Sequence, residues 1–398
     1  MIKKIKVEQT DYLFDTSNLT LFKDKVVNVP TLSSDKVAPD QTTIYKLVFN
    51  VSNTCNLQCK YCYASCGNYG RQNNFMTIDT ASKIVNDLKK NIKKIKTVYF
   101  FGGEPTLNPK TIVYLVNELN KSYMINDYRI VTNASAVTDE LVQLFIKNNF
   151  KVYISIDGPK QINDFLRGNY YEKLESTINK LKNSDIKNKL ELICTYTKFH
   201  QDNIPMDGLI DFYERLGVKY SISDVITNDK LLKIHKTKTD ILNQEKRFID
   251  VSLDRLFNNS LNVGISSYIR NVIDAFVLKK PVKCFCNELK DGYSRVYDYN
   301  GDIYPCIRLI GTHKSDDELV MKCNSKDNDK CSKCWAKNFC TDCVADVILG
   351  NVKAPYTSSK CYKKILYNYA LRKCIELNHC NPDKFKTILN NYYTNYLF

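Results

Sequence analysis

The sequence predicts an α/β fold: a parallel sheet with helices between its strands, followed by a cysteine-rich region. Two observations predict it. Between Tyr45 and Ser223, six short apolar runs rich in β-branched residues alternate with amphipathic stretches, the pattern of repeated strand–helix units. Most of the 16 cysteines gather in two groups, at positions 55–66 and 284–361. In an intracellular protein, clustered thiols are read as metal ligands rather than disulfides.

In chain order, residues 1–43 read as an N-terminal extension. Leu13-Phe14-Asp15 and Leu19-Thr20-Leu21-Phe22 suggest a small hairpin, and Val29 to Thr43 a Pro/Ser/Asp-rich loop. Residues 44–227 hold the α/β core, with strands expected at Lys46–Val51, Thr97–Phe101, Tyr128–Val131, Val152–Ile156, Leu190–Thr195 and Tyr220–Ser223. Helices are expected at Ile78–Ile92, Lys110–Leu119, Asp139–Asn148, Tyr171–Asn183 and Met206–Leu216, the first capped by Thr77. Residues 228–280 read as a charged helical bridge with apolar faces from Leu253, Leu256, Val272 and Ile273. Residues 281–364 form the cysteine-rich domain. Within it, Ser294–Tyr299 and Ile303–Cys306 pair as a hairpin turned at Asn300-Gly301. Residues 365–398 read as C-terminal helices.

Composition narrows the function. The N-terminus has no apolar signal core and no stretch approaches a membrane span, so a cytoplasmic protein with no membrane partner is expected. The formal net charge of +15 favours an acidic partner. Its lysines are scattered along helix faces, and no nucleic-acid-binding motif accompanies them, which disfavours nucleic acid. With only four histidines, none at ligand spacing beside a cysteine pair, any metal site is nearly all thiolate.

Cys55, Cys59 and Cys62 follow the first core strand with C-x3-C-x2-C spacing. Soft thiolates suit iron–sulfur clusters, copper(I) or zinc. Four cysteines normally hold a 4Fe–4S cluster, so three leave one iron open. Zinc knots use C-x2-C pairs with a fourth ligand and fit this triple poorly. In α/β barrels the chemistry collects at the C-terminal ends of strands. There lie Gly102-Gly103-Glu104-Pro105, Thr132-Asn133-Ala134 and Ser155-Ile156-Asp157-Gly158-Pro159, with Arg167 soon after. The two glycines let the backbone approach a ligand, and Arg167 suits a carboxylate. Asp157 is a turn residue or a substrate-facing acid/base carboxylate. In the C-terminal field, Cys286 and Cys306 precede the block Cys331-x2-Cys334-x5-Cys340-x2-Cys343, and Cys361 follows. A four-cysteine zinc ribbon accounts for the block but leaves the other cysteines unexplained.

The triple, with Tyr61 in its aromatic place, resembles the radical SAM superfamily, and the C-terminal field resembles its SPASM domain. The resemblance implies a partial (β/α)6 TIM-like barrel with a C-terminal SPASM domain. It implies a 4Fe–4S cluster on Cys55, Cys59 and Cys62 that binds S-adenosylmethionine (SAM), and reductive cleavage of SAM to a 5′-deoxyadenosyl radical. Tyr61, Gly102, Gly103, Glu104, Asn133, Ser155 and Arg167 would contact SAM. Two auxiliary 4Fe–4S clusters follow: one on Cys286, Cys306 and Cys343 with Cys284 the candidate fourth ligand, the other on Cys331, Cys334, Cys340 and Cys361. The x2 gap between Cys340 and Cys343 departs from the SPASM pattern of three, as does the tight Cys284-x-Cys286 pair. Thr195-Tyr196-Thr197-x-x-His200 is similar to strings in maturases of cysteine-rich peptides.

The expectation is an oxidoreductase that modifies a peptide. Its sharpest form is a maturase that closes a Cys thioether in a ribosomally made, Cys-containing peptide. The alternative within the family is formylglycine formation in a sulfatase, with Asp157 as acid/base. Outside it stands a zinc-containing nucleic-acid-binding protein. Expected partners are the peptide, an external electron donor of flavodoxin or ferredoxin type, and a separate leader-peptide-binding protein, since the N-terminal stretch shows no winged-helix module.

Overall fold

The computed structural model describes residues 2–23, 42–259, 264–279, 281–282, 284–286, 289, 293–313, 318–326, 329–350 and 361–396. The chain divides into two compact units. One comprises Val37–Ile234 with Glu288–Val320; the other comprises Met1–Lys36, His235–Asn287 and Met321–Phe398.

The chain opens with an antiparallel sheet of β1 (Ile2–Val7), β2 (Thr10–Asp15) and β3 (Thr20–Phe22). The hairpin read from the sequence is β2–β3. Strand β1 escaped that reading because its lysines leave only Ile5 and Val7 as an inward pair. The core then alternates β4 (Thr43–Ser52), α1 (Ile78–Asn91), β5 (Lys94–Gly102), α2 (Pro109–Asn120), β6 (Asp127–Thr132), α3 (Asp139–Lys147) and β7 (Phe150–Ser155). It continues with α4 (Lys160–Arg167), α5 (Tyr171–Lys182), β8 (Leu190–Tyr196), α6 (Lys198–Asn203), α7 (Met206–Leu216) and β9 (Lys219–Asp224).

Strands β4 to β9 pair in sequence order, all parallel, as the six expected strands require. Pairing runs no further than β9 on one side among the described residues, so the sheet is a partial barrel. Its strands alternate as a half-buried sheet does: in β7, Phe150, Val152 and Ile154 are buried and Lys151, Tyr153 and Ser155 less so. Phe49, Phe100 and Phe150 stack from strand to strand at 6.1 and 5.9 Å. Helix α4 was missed by sequence reasoning for a physical reason. Its inner face carries buried Asn163 and Arg167 beside Ile162 and Leu166, which hides the apolar period.

Next come α8 (Lys238–Phe257), α9 (Ser267–Leu278), β10 (Ser294–Tyr297), β11 (Ile303–Tyr304), α10 (Glu318–Asn324), α11 (Asp329–Ser332), α12 (Val344–Ile348), α13 (Lys363–Cys380) and α14 (Pro382–Tyr396). The bridge is helical only from Lys238. The expected hairpin forms as β10–β11, with a tertiary consequence: β10 pairs in parallel with β4 and extends the core sheet. Grouping by contact therefore cuts across grouping by sequence. The hairpin joins the barrel unit, while β1–β3, α8, α9, α13 and α14 share the other core through Phe14, Leu21, Ile269, Phe339, Tyr367 and Phe385. The loop expected over Val29–Thr43 lies almost wholly outside the described residues. Among those described, no helix is long and apolar enough to cross a membrane.

Candidate active site

Because β4 to β9 are parallel, their C-terminal ends share one edge, and the chemistry-bearing residues collect there. The cysteine loop leaves β4 at Ser52 and returns to it through a bridge at Phe75. Asn53 donates its N–H to Asn74 O at 2.8 Å, Lys60 donates to Leu166 O at 2.9 Å, and Cys62 closes a turn on Cys59 O at 3.0 Å. Cys55, Cys59 and Cys62 are all half-buried. Burial pushes the Cys55 thiol up to about 12, against a partial pull from the Leu57 N–H. Burial also raises Cys59, while Arg167 draws it down. The Asn133 side-chain amide donates toward Cys55 Sγ at 3.7 Å.

The glycine turn is shaped by this loop. Gly103 donates to Ser52 O at 2.7 Å and Glu104 to Thr54 O at 2.9 Å. A Cβ on Gly103 would collide with the Thr54 carbonyl, and one on Gly102 would stand 2.5 Å from Ser52 O. The glycines thus admit the backbone that carries the thiols. Glu104 is 1% exposed. Its Oε1 accepts from Thr106 N at 3.0 Å, Thr106 Oγ1 at 2.6 Å and Thr132 Oγ1 at 2.6 Å; its Oε2 accepts from Asn133 N at 2.6 Å. Burial raises its pKa, and those donors offset part of the rise. This carboxylate pins the ends of β5 and β6 together and so places Asn133.

Tyr61, Asp157 and Arg167 form a second buried group. Tyr61 donates its hydroxyl to Asp157 Oδ2 and accepts from Arg167 Nη1 at 2.5 Å; Arg167 and Asp157 pair at 3.5 Å. Asp157 Oδ1 accepts from Thr195 N at 2.9 Å. Asp157 is fully buried and both its oxygens are engaged, so it ties Tyr61 of the cysteine loop to Arg167 of α4. Ser155 is half-buried at the end of β7.

The Thr197-x-x-His200 string also has a physical account. His200 Nδ1 accepts from the Thr197 N–H at 3.0 Å, and Nε2 donates to Asp157 O at 2.6 Å. Burial lowers the imidazole's affinity for a proton, although the Asp157 carbonyl opposes this. A neutral His200 therefore caps α6 and fixes the turn that carries Asp157. Sequence reasoning singled out this string without seeing that role. Cys194, read from the sequence as a core thiol, is buried in the sheet.

Among the C-terminal cysteines, Cys306 follows β11 in the barrel unit. That hairpin is tied to the sheet by Asn50, which donates to Asp298 at 2.5 Å, and by the Arg71–Asp298 ion pair at 2.8 Å. The remaining ligand candidates lie in the other unit. Phe285 donates to Asn324 O at 3.1 Å, and the Asn324 side chain bonds both the N–H and the C=O of Cys286, at 2.7 and 3.1 Å. Asp342 donates to Phe285 O at 3.0 Å, joining Cys284 and Cys286 to the backbone before Cys343. Cys334 is within electrostatic reach of Cys331 and Cys361, and Cys340 of Cys361.

A tetrahedral zinc, with Zn–S bonds of about 2.3 Å, draws its sulfurs to within about 3.8 Å of one another. Among the described residues, the three donors found within 4.8 Å of one another are Glu8, His379 and Cys380, not the cysteines of the loop or the block. The cysteine sites are wider than a single-metal knot. This spacing fits the loop to an iron–sulfur cluster, whose thiolates would sit on separate irons.

Comparison with known proteins agrees. The serine-type anaerobic sulfatase-maturating enzyme of Bacteroides thetaiotaomicron is 24% identical over 303 residues, 69% of this chain and 71% of that enzyme. The structure of anSMEcpe with bound AdoMet and Cp18Cys peptide superposes with a TM-score of 0.60 at 18% identity, over 87% of this chain and 99% of that one. Streptococcus suis SuiB bound to its precursor peptide SuiA superposes with a TM-score of 0.54 at 19% identity, over 77% of this chain and 73% of that one. These likenesses show a shared fold. Residues 49–214 match the Radical SAM superfamily, and this span runs from the strand before the cysteine loop into α7, so the chain carries a radical SAM domain.

Proposed function

We propose that this radical SAM maturase-type enzyme closes a Cys thioether in a ribosomally made peptide. One observation carries the reading: a cysteine loop seated on the glycine turn of a parallel sheet, in a chain that also holds a field of cysteines after the barrel. When bound, SAM and its cluster would supply a radical that removes a hydrogen atom from a substrate carbon, while the substrate thiol loses a proton and an auxiliary cluster takes the electron left as the C–S bond closes. Cys55, Cys59 and Cys62 would hold the SAM cluster. Cys286, Cys306 and Cys343, with Cys284, would hold one auxiliary cluster, and Cys331, Cys334, Cys340 and Cys361 the other. Asn133, Ser155 and the carbonyls of Gly102 and Gly103 would face SAM. Arg167 would offer it a guanidinium held by Tyr61 and Asp157. An external electron donor is part of this reading.

Formylglycine formation has support from the sulfatase-maturating relative. It asks for an acid/base carboxylate beside the substrate. The one the sequence nominated, Asp157, is buried with both oxygens engaged, which favours the thioether reading.

The test is anaerobic reconstitution with iron, sulfide and 5′-deoxyadenosine measured together. About twelve irons per chain, three cubanes, with SAM cleaved in dithionite, support the three-cluster enzyme. Zinc with no SAM cleavage overturns it. Incubation with Cys-containing peptides then separates the products by mass: a thioether loses two hydrogens, whereas formylglycine loses sulfur.

A further inference from the structure

Lys326 is one of the most deeply buried charged side chains among the described residues, at 1% exposure, and none of the roles above uses it. It lies just past α10, where Asn324 clasps Cys286. Its Nζ donates to Val282 O at 2.6 Å and to Lys337 O at 2.8 Å, and it stands 5.7 Å from the Phe285 ring. Val282 lies two residues before Cys284, and Lys337 lies between Cys334 and Cys340. The Val282 N–H also reaches Asn338 O at 2.6 Å. One ammonium thus bridges two cysteine-bearing segments of the same unit.

Among the described residues its hydrogen-bond partners are two neutral carbonyls, which do not by themselves compensate a buried charge. The groups that chiefly favour its charged form are thiols: Cys340, then Cys284, then Cys331. Protonated thiols carry no charge. Thiolates on a metal cluster would set negative charge beside it.

We infer that Lys326 is the fixed counter-charge of the auxiliary cluster on Cys331, Cys334, Cys340 and Cys361, and that it raises that cluster's reduction potential. The inference rests on the cluster reading above. An added electron makes a thiolate-bound cluster more negative, so a cation fixed beside it favours the reduced form. That suits a cluster meant to accept an electron.

The experiment is an EPR-monitored redox titration of the anaerobic holoenzyme, with iron counted in every sample. In Lys326→Met, one auxiliary midpoint should fall by about 59 mV or more, a tenfold loss in the reduction constant of a one-electron couple. The SAM-cluster midpoint should stay put, and Lys326→Arg should restore the auxiliary one. Loss of the auxiliary irons in Lys326→Met but not in Lys326→Arg supports the same role. A Lys326→Met enzyme with all its irons and unmoved midpoints overturns the inference. So does equal iron loss in both variants, which marks a merely structural clamp on the two carbonyls. Wild-type protein with no auxiliary iron overturns the inference together with the cluster reading.

Discussion

At Gly103 the Thr54 carbonyl leaves room for a hydrogen and not for a methyl group. Gly103→Ala should therefore push the cysteine loop off its seat. The expected result is loss of about four irons and of SAM cleavage, with the auxiliary irons kept; unchanged iron would separate the glycine turn from the thiols. The thiols themselves set a pH dependence. Burial raises Cys55, Cys340 and Cys374 from 9.0 to about 12. Between those values the unfolded chain loses protons that the folded chain keeps. Stability of the metal-free protein is then fully present below about pH 9 and falls as pH rises toward 12. Urea midpoints measured across that window should decline. Cluster loading should remove the contributions of Cys55 and Cys340, because ligation takes the thiolate form, and leave that of Cys374.

Among the elements, α1 and α6 contrast a local device with a tertiary one. Thr77 caps α1 by accepting from Thr80 N at 3.0 Å, as its position before the amphipathic run predicts. Thr77→Ala should cost about 1 kcal/mol in urea unfolding, with SAM cleavage untouched. His200 looks like a similar cap but also holds the Asp157 carbonyl. His200→Ala would strand a buried carbonyl and a buried N–H, costing roughly 2–4 kcal/mol. It should also weaken SAM binding through Arg167. Calorimetry on both variants checks the contrast: equal SAM affinity would sink the link from α6 to the site. Helix α4 and strand β1 show why some elements were illegible. One carries its buried polar groups where apolar ones were sought, and the other pairs locally behind a row of lysines.

Across the whole molecule, the two cysteine groups should behave as separable sites. Cys331→Ala should remove about four irons and abolish peptide modification, while SAM cleavage uncoupled from peptide persists. Loss of SAM cleavage as well would refute that separation. The six strands and their order were legible from Tyr45 to Ser223 because hydrophobic period and turn chemistry are local properties of a chain. The cysteine loop was legible because its ligands lie within eight residues, so spacing alone states the chemistry. The sequence by itself thus determined the parallel core, the thiolate loop and the radical SAM domain. Only the tertiary structure decided what the polar residues do. Glu104 and Asp157, free carboxylates when read along the chain, are consumed by partners 28 and 96 residues distant. The hairpin before Cys306 joins a sheet whose nearest strand ends more than 240 residues earlier. Lys326, one lysine among many in the sequence, is buried between cysteine-bearing segments. Each of these depends on which hydrogen-bond partners and charges arrive from distant parts of the chain, and burial sets their energetic consequence.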